Sequence, residues 1–267
     1  MKIGVLGSYG ETVPPEVRAA LGSGVEVAFY KPRVPIFAFS PAEFAIQELS
    51  YLEAGMTAAA DGCEAIVYNS FSDYGIAALR AAVDVPVVGA GETALKLAAS
   101  LASRFTLVTV WPESTNFMPQ RLVAEFGMAD RLAAIRNVST EAIIESDDRP
   151  DAFIKGMQAG TDGTLQRIFA ACSLAAKEDG AELVVIGCTC MSPIAGRIAD
   201  ASPVPVINPL TAALAHAEMR LRLGIGAVRP AAAPAARAPS LDLVRRMVDA
   251  VADAAAPTDC PVCVASW

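Results

Sequence analysis

The chain repeats itself. Residues 61–70 read DGCEAIVYNS and residues 179–188 read DGAELVVIGC, so that Ser70 and Cys188 end matching blocks 118 positions apart. Asp, Gly, Glu and a central Val coincide, and the remaining differences are mostly apolar for apolar. Each block then runs into a further apolar tetrad, VPVV at 85–88 and VPVI at 204–207. A duplicated strand unit at this distance predicts two similar half-molecules facing each other. Ser70 and Cys188 then sit on opposite walls of the cleft between them, and those walls are chemically unequal.

Around the two blocks, short apolar runs alternate with longer helical patterns. Strands are expected at 2–6, 25–30, 65–68, 85–88, 105–110, 132–138, 183–186 and 204–207. Helices are expected at 42–60, 76–82, 92–103, 114–125, 162–179, 191–201 and 211–223, the first opened by Ser40-Pro41 as cap and first turn. Alternation of this kind gives an α/β fold: parallel sheets flanked by helices, in two pseudo-symmetric domains. The expected division is 1–112 plus 205–226 for the first domain and 113–204 for the second, with 227–267 as linker and tail. Within that tail, Ser240 caps an expected amphipathic helix over 240–255.

A length of 267 residues allows a full core, and 54% hydrophobic against 19% charged residues excludes a disordered chain. Mean hydropathy is +0.41. No uninterrupted apolar run reaches the roughly 18 residues of a membrane span, so Ala-rich helices and doubly buried strands account for the value. The N-terminal MKIGVLGSYG reads as a strand rather than a signal peptide. A net charge of −8 with no basic stripe argues against nucleic acid as a partner. Six scattered cysteines are not a secreted disulfide framework, and a reducing, cytoplasmic compartment is expected. A homo-oligomer is compatible with the apolar content.

Parallel sheets bind ligands beyond the carboxyl ends of their strands. Four such ends carry chemistry. They are the loop with Ser8 and Tyr9, the loop Asn69-Ser70-Phe71-Ser72-Asp73, the segment Thr109-Val110-Trp111, and Gly187-Cys188-Thr189-Cys190. Cys188 is the leading catalytic candidate. It follows a strand and a glycine at the start of a helical segment, where free N–H groups and roughly half a positive charge lower a thiol's pKa. A serine hydroxyl is no proton-transfer base without a partner, so Ser70 is expected to hydrogen-bond substrate beside Asn69, Phe71 and Ser72. Ser8, Tyr9, Thr109, Trp111 and Thr189 complete the expected binding set. Asp73 reads as a helix cap or a proton carrier.

Cys190 reads as core, as do Cys63 and Cys172. Cys260-Pro-Val-Cys263 is a CxxC without a second ligand pair, so a frayed tail with no metal is expected, a zinc site shared by two chains or a redox pair being the alternatives. The single histidine, His216, argues against a Ser-His-Asp hydrolase. No nucleotide motif occurs, the segment Gly89-Ala90-Gly91-Glu92 being only loosely like a phosphate loop, and no cofactor is expected. No arginine stands in an obvious clamp position.

The segments 61–75, 85–112, 179–191 and 204–218 together resemble the aspartate/glutamate/hydantoin racemase superfamily, and its hydantoin racemase branch most closely. The resemblance covers residues 1–224. It implies a pseudo-symmetric, cofactor-independent enzyme in which two cysteines exchange an α-proton from opposite faces of a small carboxylate or cyclic amide. The second of these cysteines maps onto Cys188 and the first onto Ser70, a departure from the two-thiol pattern. Racemase or isomerase is therefore the first reading, with Cys188 as acid/base. A single-cysteine decarboxylase like arylmalonate decarboxylase, with Cys188 as proton donor to an enolate, is the second. A hydrolase with Cys188 as nucleophile and a binding protein that has lost the chemistry are further readings.

Overall fold

A computed structural model describes residues 1–7, 12–34, 36–142, 150–228 and 239–255. The first half runs β1 (Lys2–Leu6), α1 (Pro15–Ala19), β2 (Glu26–Tyr30), α2 (Pro41–Ala60), β3 (Ala65–Tyr68), α3 (Ile76–Ala82), β4 (Val87–Val88) and α4 (Ala90–Leu101). The second runs β5 (Phe105–Thr109), α5 (Phe117–Glu125), β6 (Leu132–Asn137), α6 (Pro150–Ala159), α7 (Thr164–Lys177), β7 (Leu183–Ile186), α8 (Ala195–Ala201), β8 (Val206–Ile207) and α9 (Pro209–Arg222). Short 3-10 helices at Glu113–Asn116 and Thr189–Ile194 lead into α5 and α8, and α10 (Leu241–Ala255) closes the described chain.

The strands form two parallel four-stranded sheets with orders β2-β1-β3-β4 and β6-β5-β7-β8. The second order is the first repeated, as the duplicated sequence requires. Both β3 and β7 are buried along their whole length, which explains why their sequences are unbroken apolar runs. β4 and β8 are two residues long rather than the four expected. Pro86 and Pro205 lack an N–H to donate, but their carbonyls still accept from Ile66 and Val184.

The halves interlock. Helix α4 follows the first sheet, yet its Ala94, Leu95 and Ala98 pack with Phe105, Leu107, Leu183 and Val185 of the second. Helix α9 follows the second sheet, and its Leu210, Ala213, Leu214 and Ala217 pack with Ile3, Val5, Ala65 and Val67 of the first. β5 and β8 belong to the second sheet, and α9 packs on the first.

Helix α2 begins where the sequence predicts it, with Ser40 Oγ accepting from Glu43 N at 3.3 Å and Pro41 in the first turn. Two helices were not anticipated. α1 is five residues long. α6 has a glycine in its middle and buries Phe153, Ile154 and Met157 on one side. Beyond the family-like part, Ser240 Oγ accepts from Leu243 N at 3.2 Å at the start of α10. That helix is docked on the first half. Its fully buried Val244 and Val248 join the core under α2, and Arg245 and Asp249 pair with Glu53 and Arg33.

Candidate active site

Strand order makes the first positional statement. In each sheet the chain switches direction of growth between the first strand and its neighbour, β1/β3 and β5/β7, and such switch points open a crevice at the strand carboxyl ends. A cavity of about 490 Å³ lies there, lined from the first sheet by Asn69, Ser70, Phe71 and Ser72 and from the second by Thr109, Trp111, Gly187, Cys188 and Thr189. The expected residues after β3, β5 and β7 thus line one space. Ser8, Tyr9, Cys260 and Cys263 lie outside the described residues, as do most of the linker and the end of the tail.

The two walls share a local geometry. Ser70 Oγ accepts from Ser72 N at 3.2 Å, and Cys188 Sγ accepts from Cys190 N at 3.2 Å. The same side-chain turn therefore places an oxygen on one wall and a sulfur on the other. Thr109 Oγ1 accepts from Trp111 N at 3.3 Å beside them.

Where β1 and β5 approach their neighbours, backbone spacing leaves room for one side chain of two. A Cβ on Gly7 would stand 2.7 Å from Asn69 Cβ, and a Cβ on Gly187 would stand 2.9 Å from Thr109 Cβ. The first half puts its glycine, Gly7, just after β1 and its side chain, Asn69, after β3. The second half puts its side chain, Thr109, on β5 and its glycine after β7.

Cys190 packs in the core as expected, 2% exposed. Its sulfur, however, is bonded to that of Cys188 in a disulfide, with Cα atoms 5.3 Å apart. A disulfide sulfur neither takes nor gives a proton, so the acid/base role expected of Cys188 would require the reduced pair. Cys63 and Cys172 are buried free thiols, and burial pushes Cys172 up to about 11.

The remaining lining was not legible in advance. Ile36, Phe37, Tyr51, Tyr74 and Met118 make the wall largely apolar, with the Phe37 ring centroid 4.4 Å from that of Trp111. Gln47 Nε2 donates to the carbonyls of Val34 and Ile36 and so fixes the segment after β2. Lys31 and Arg33 line the cavity too, a basic contribution absent from the sequence reading; Arg33 is paired with Glu53 and Asp249. Ala252 of α10 completes the lining. Only β2 itself could have signalled that the residues following it lie at a strand end.

Asp73 sits behind the Ser70 loop, outside the cavity lining. It is fully buried in a left-handed conformation, φ 47°. Its carboxylate accepts from Glu92 N at 2.7 Å and Gly91 N at 3.3 Å, so it caps α4 rather than its own helix. Burial pushes its carboxyl up to about 7, with the Glu92 charge pushing the same way; the two amides and the Arg80 guanidinium pull down. The amides of Gly91 and Glu92 are thereby occupied by a carboxylate, which accounts for a glycine pair that only loosely resembles a phosphate loop. His216 lies on α9, its Nδ1 3.4 Å from Thr93 Oγ1, and burial lowers its pKa. Among the described residues, no three His, Cys, Asp or Glu side chains cluster as a metal site. Among them, too, no helix is long and apolar enough to cross a membrane.

Comparison with known proteins gives the geometry a setting. The profile of the family described as Asp/Glu/Hydantoin racemase matches residues 8–217. A hydantoin racemase of Paenarthrobacter aurescens is 31% identical over 161 residues, 60% of this chain and 63% of that protein. A hydantoin racemase of Rhizobium meliloti is 31% identical over 62% of this chain and 63% of its own length. The matched stretch thus spans less than two thirds of these relatives. Among solved structures, an allantoin racemase from Klebsiella pneumoniae superposes with a TM-score of 0.73 at 26% identity, over 90% of this chain and 96% of that one. Unliganded arylmalonate decarboxylase superposes with a TM-score of 0.52 at 16% identity, over 88% and 97%, a likeness of fold alone.

Proposed function

This chain belongs to the Asp/Glu/hydantoin racemase family, and from that premise we propose that its reduced form is a cofactor-independent racemase of a small cyclic amide or carboxylate. The reaction moves a proton at a carbon alpha to a carbonyl. The observation that carries this reading is the matched pair of walls: Ser70 and Cys188 end equivalent strands, make the same turn and line the same cavity.

The Cys188 thiolate removes the α-proton from the face it meets. Charge then spreads onto the adjacent carbonyl as an enolate, and a hydroxyl donor such as Thr109 or Thr189 at the strand ends stabilises it. The Ser70 hydroxyl faces the opposite side. It is a poor base, so it passes a proton from water to the enolate in one direction and, by microscopic reversibility, returns it to water in the other, while the Cys188 thiol gives its proton back to solvent. Inversion from the Ser70 side is accordingly the slow step. The apolar lining of Phe37, Tyr51 and Trp111 suits a substrate with an apolar substituent, and favours a hydantoin-like ring over a dicarboxylate.

One observation favours a second reading, a decarboxylase: only one wall carries a cysteine. Loss of carbon dioxide from a malonate creates the enolate without a base, and a single thiol then protonates one face. Proton NMR in D2O under reducing conditions separates the two. Racemisation gives deuterium at the α-carbon of substituted hydantoins with decay of optical rotation. Decarboxylation gives carbon dioxide and one deuterated enantiomer from a substituted malonate. Cys188→Ala abolishes either, and unchanged turnover in that variant removes Cys188 from the chemistry.

A further inference from the structure

The mechanism uses Cys188 and leaves Cys190 unexplained. Cys190 is two residues on, its backbone N–H turned to the Cys188 sulfur and its own sulfur bonded to it. We propose that this pair is a reversible thiol-oxidation site, in which Cys188 reacts with small hydroperoxides and Cys190 closes the disulfide that shields it.

The two cysteines have unequal access, and that assigns their parts. Cys188 lines the cavity, whereas Cys190 lies behind it in the core with Met157 and Ile194. Gln158 Nε2 donates to the Cys190 carbonyl at 2.8 Å and anchors the turn from α6. A hydroperoxide entering the cavity therefore meets Cys188 first. The Cα separation of 5.3 Å falls within the range a disulfide needs, about 4.4–6.8 Å. The backbone that aims Cys188 into the cavity already holds Cys190 within bonding reach.

The chemistry balances. The Cys188 thiolate attacks the outer peroxide oxygen, the O–O bond breaks, and Cys188 becomes a sulfenic acid as the peroxide leaves as water or an alcohol. The Cys190 sulfur then attacks the Cys188 sulfur, the S–O bond breaks and the sulfenic oxygen leaves as water with the Cys190 proton. Two thiols have lost two electrons and two protons, and the peroxide has gained them. A small dithiol reverses the change by exchange, attacking one sulfur and then closing on itself. Without Cys190 the sulfenic acid stays open to further, irreversible oxidation. The burial of Cys63 and Cys172 withholds them from this chemistry.

The test needs no substrate. Cleavage after Lys177 and Arg197 releases one peptide, residues 178–197, whose only cysteines are Cys188 and Cys190. The full-length protein is reduced, exposed to graded hydrogen peroxide, alkylated and mapped by mass spectrometry. The expected wild-type result is that peptide unalkylated and two hydrogens lighter than its dithiol form. A dithiol should then return it to the doubly alkylatable state. In Cys190→Ser and Cys190→Ala, checked for folding by circular dichroism, Cys188 should end as sulfinic or sulfonic acid that no dithiol restores. The proposal is overturned if wild-type Cys188 remains alkylatable. It is equally overturned if Cys188 over-oxidises in the wild type as fast as in the variants.

The consequence for turnover alone rests on the reaction proposed above: exchange in D2O should vanish with the disulfide and return with dithiol. A pair that opens and closes beside a protein that never exchanges would leave this site standing and fell the reaction.

Discussion

Replacing Asp73 by Asn tests how the first wall is held to the second half. Asp73 is wholly buried, yet its carboxylate takes two amides at the start of α4, the helix that crosses between the sheets. Its carboxyl titrates near 7 in the fold, against an ordinary 3.8. The sign follows from linkage. The fold favours the protonated form, so the stabilisation is complete below the unfolded value and is lost as pH rises through the folded one. Each pH unit in that window is worth about 1.4 kcal/mol, and the whole window about 4 kcal/mol. The substituted carboxamide carries no charge and keeps one oxygen for the two amides. The variant should lose a pH-independent amount of about 1–2 kcal/mol for the weaker cap. Urea unfolding of wild type and Asp73→Asn at half-unit steps from pH 4 to 8 isolates the difference, since other titrations are common to both. The variant should be the less stable protein at pH 4 and the more stable at pH 8. The corresponding melting-temperature gap should move by on the order of 10 °C. A stability gap that stays constant with pH would mean instead that the two amides hold Asp73 ionised despite its burial.

Three further outcomes follow from the site and its surroundings. Ser70→Cys gives the first wall a thiol in the turn that already holds Cys188, and should speed α-proton exchange on that face by at least about tenfold, read by NMR in D2O. Val248→Ala removes two buried methyls under α10 and should cost about 1–2 kcal/mol, seen first as faster amide exchange across 241–255. Ala252→Trp should fill the end of the cavity formed by α10, raising KM for a 5-benzylhydantoin while sparing 5-methylhydantoin; equal effects on both would place Ala252 away from the bound substituent.

What could be read from the sequence was what local chemistry encodes. The duplicated block predicted the matched sheets, and the apolar runs of β3 and β7 stand where expected because both faces of each strand are covered. Ser40 and Ser240 announced their helices because a cap is made within three residues. Contacts closed over long separations were not legible. Asp73 sits beside α3 and caps α4, and nothing local distinguishes those choices. The crossing of α4 and α9 to opposite sheets is another such contact. Ala252 reaches the cavity from beyond the family-matched stretch. For Cys190, spacing fixed its depth in the core but not the direction of its sulfur, which depends on how Thr189–Ile194 winds.

The glycines at the two strand ends bear on how such a duplicated chain can drift. Gly7 faces Asn69, and Thr109 faces Gly187, each half meeting the same crowding with the glycine on the other strand. Gly187 can acquire a side chain only if Thr109 gives up its own, whereas at Gly7 the Asn69 carbonyl oxygen, 2.8 Å from a Cβ, bars one whatever residue stands at 69. Substitutions at 109 and 187 are therefore conditional on one another, although the two residues are far apart in the chain. A hybrid that joined the Thr109 strand end to the Asn69 strand end would set two side chains where one fits, whereas the opposite hybrid would pair glycine with glycine. The halves share a blueprint without being interchangeable, and each amide or hydroxyl offered to a ligand at this floor is fixed by which strand gave up its side chain.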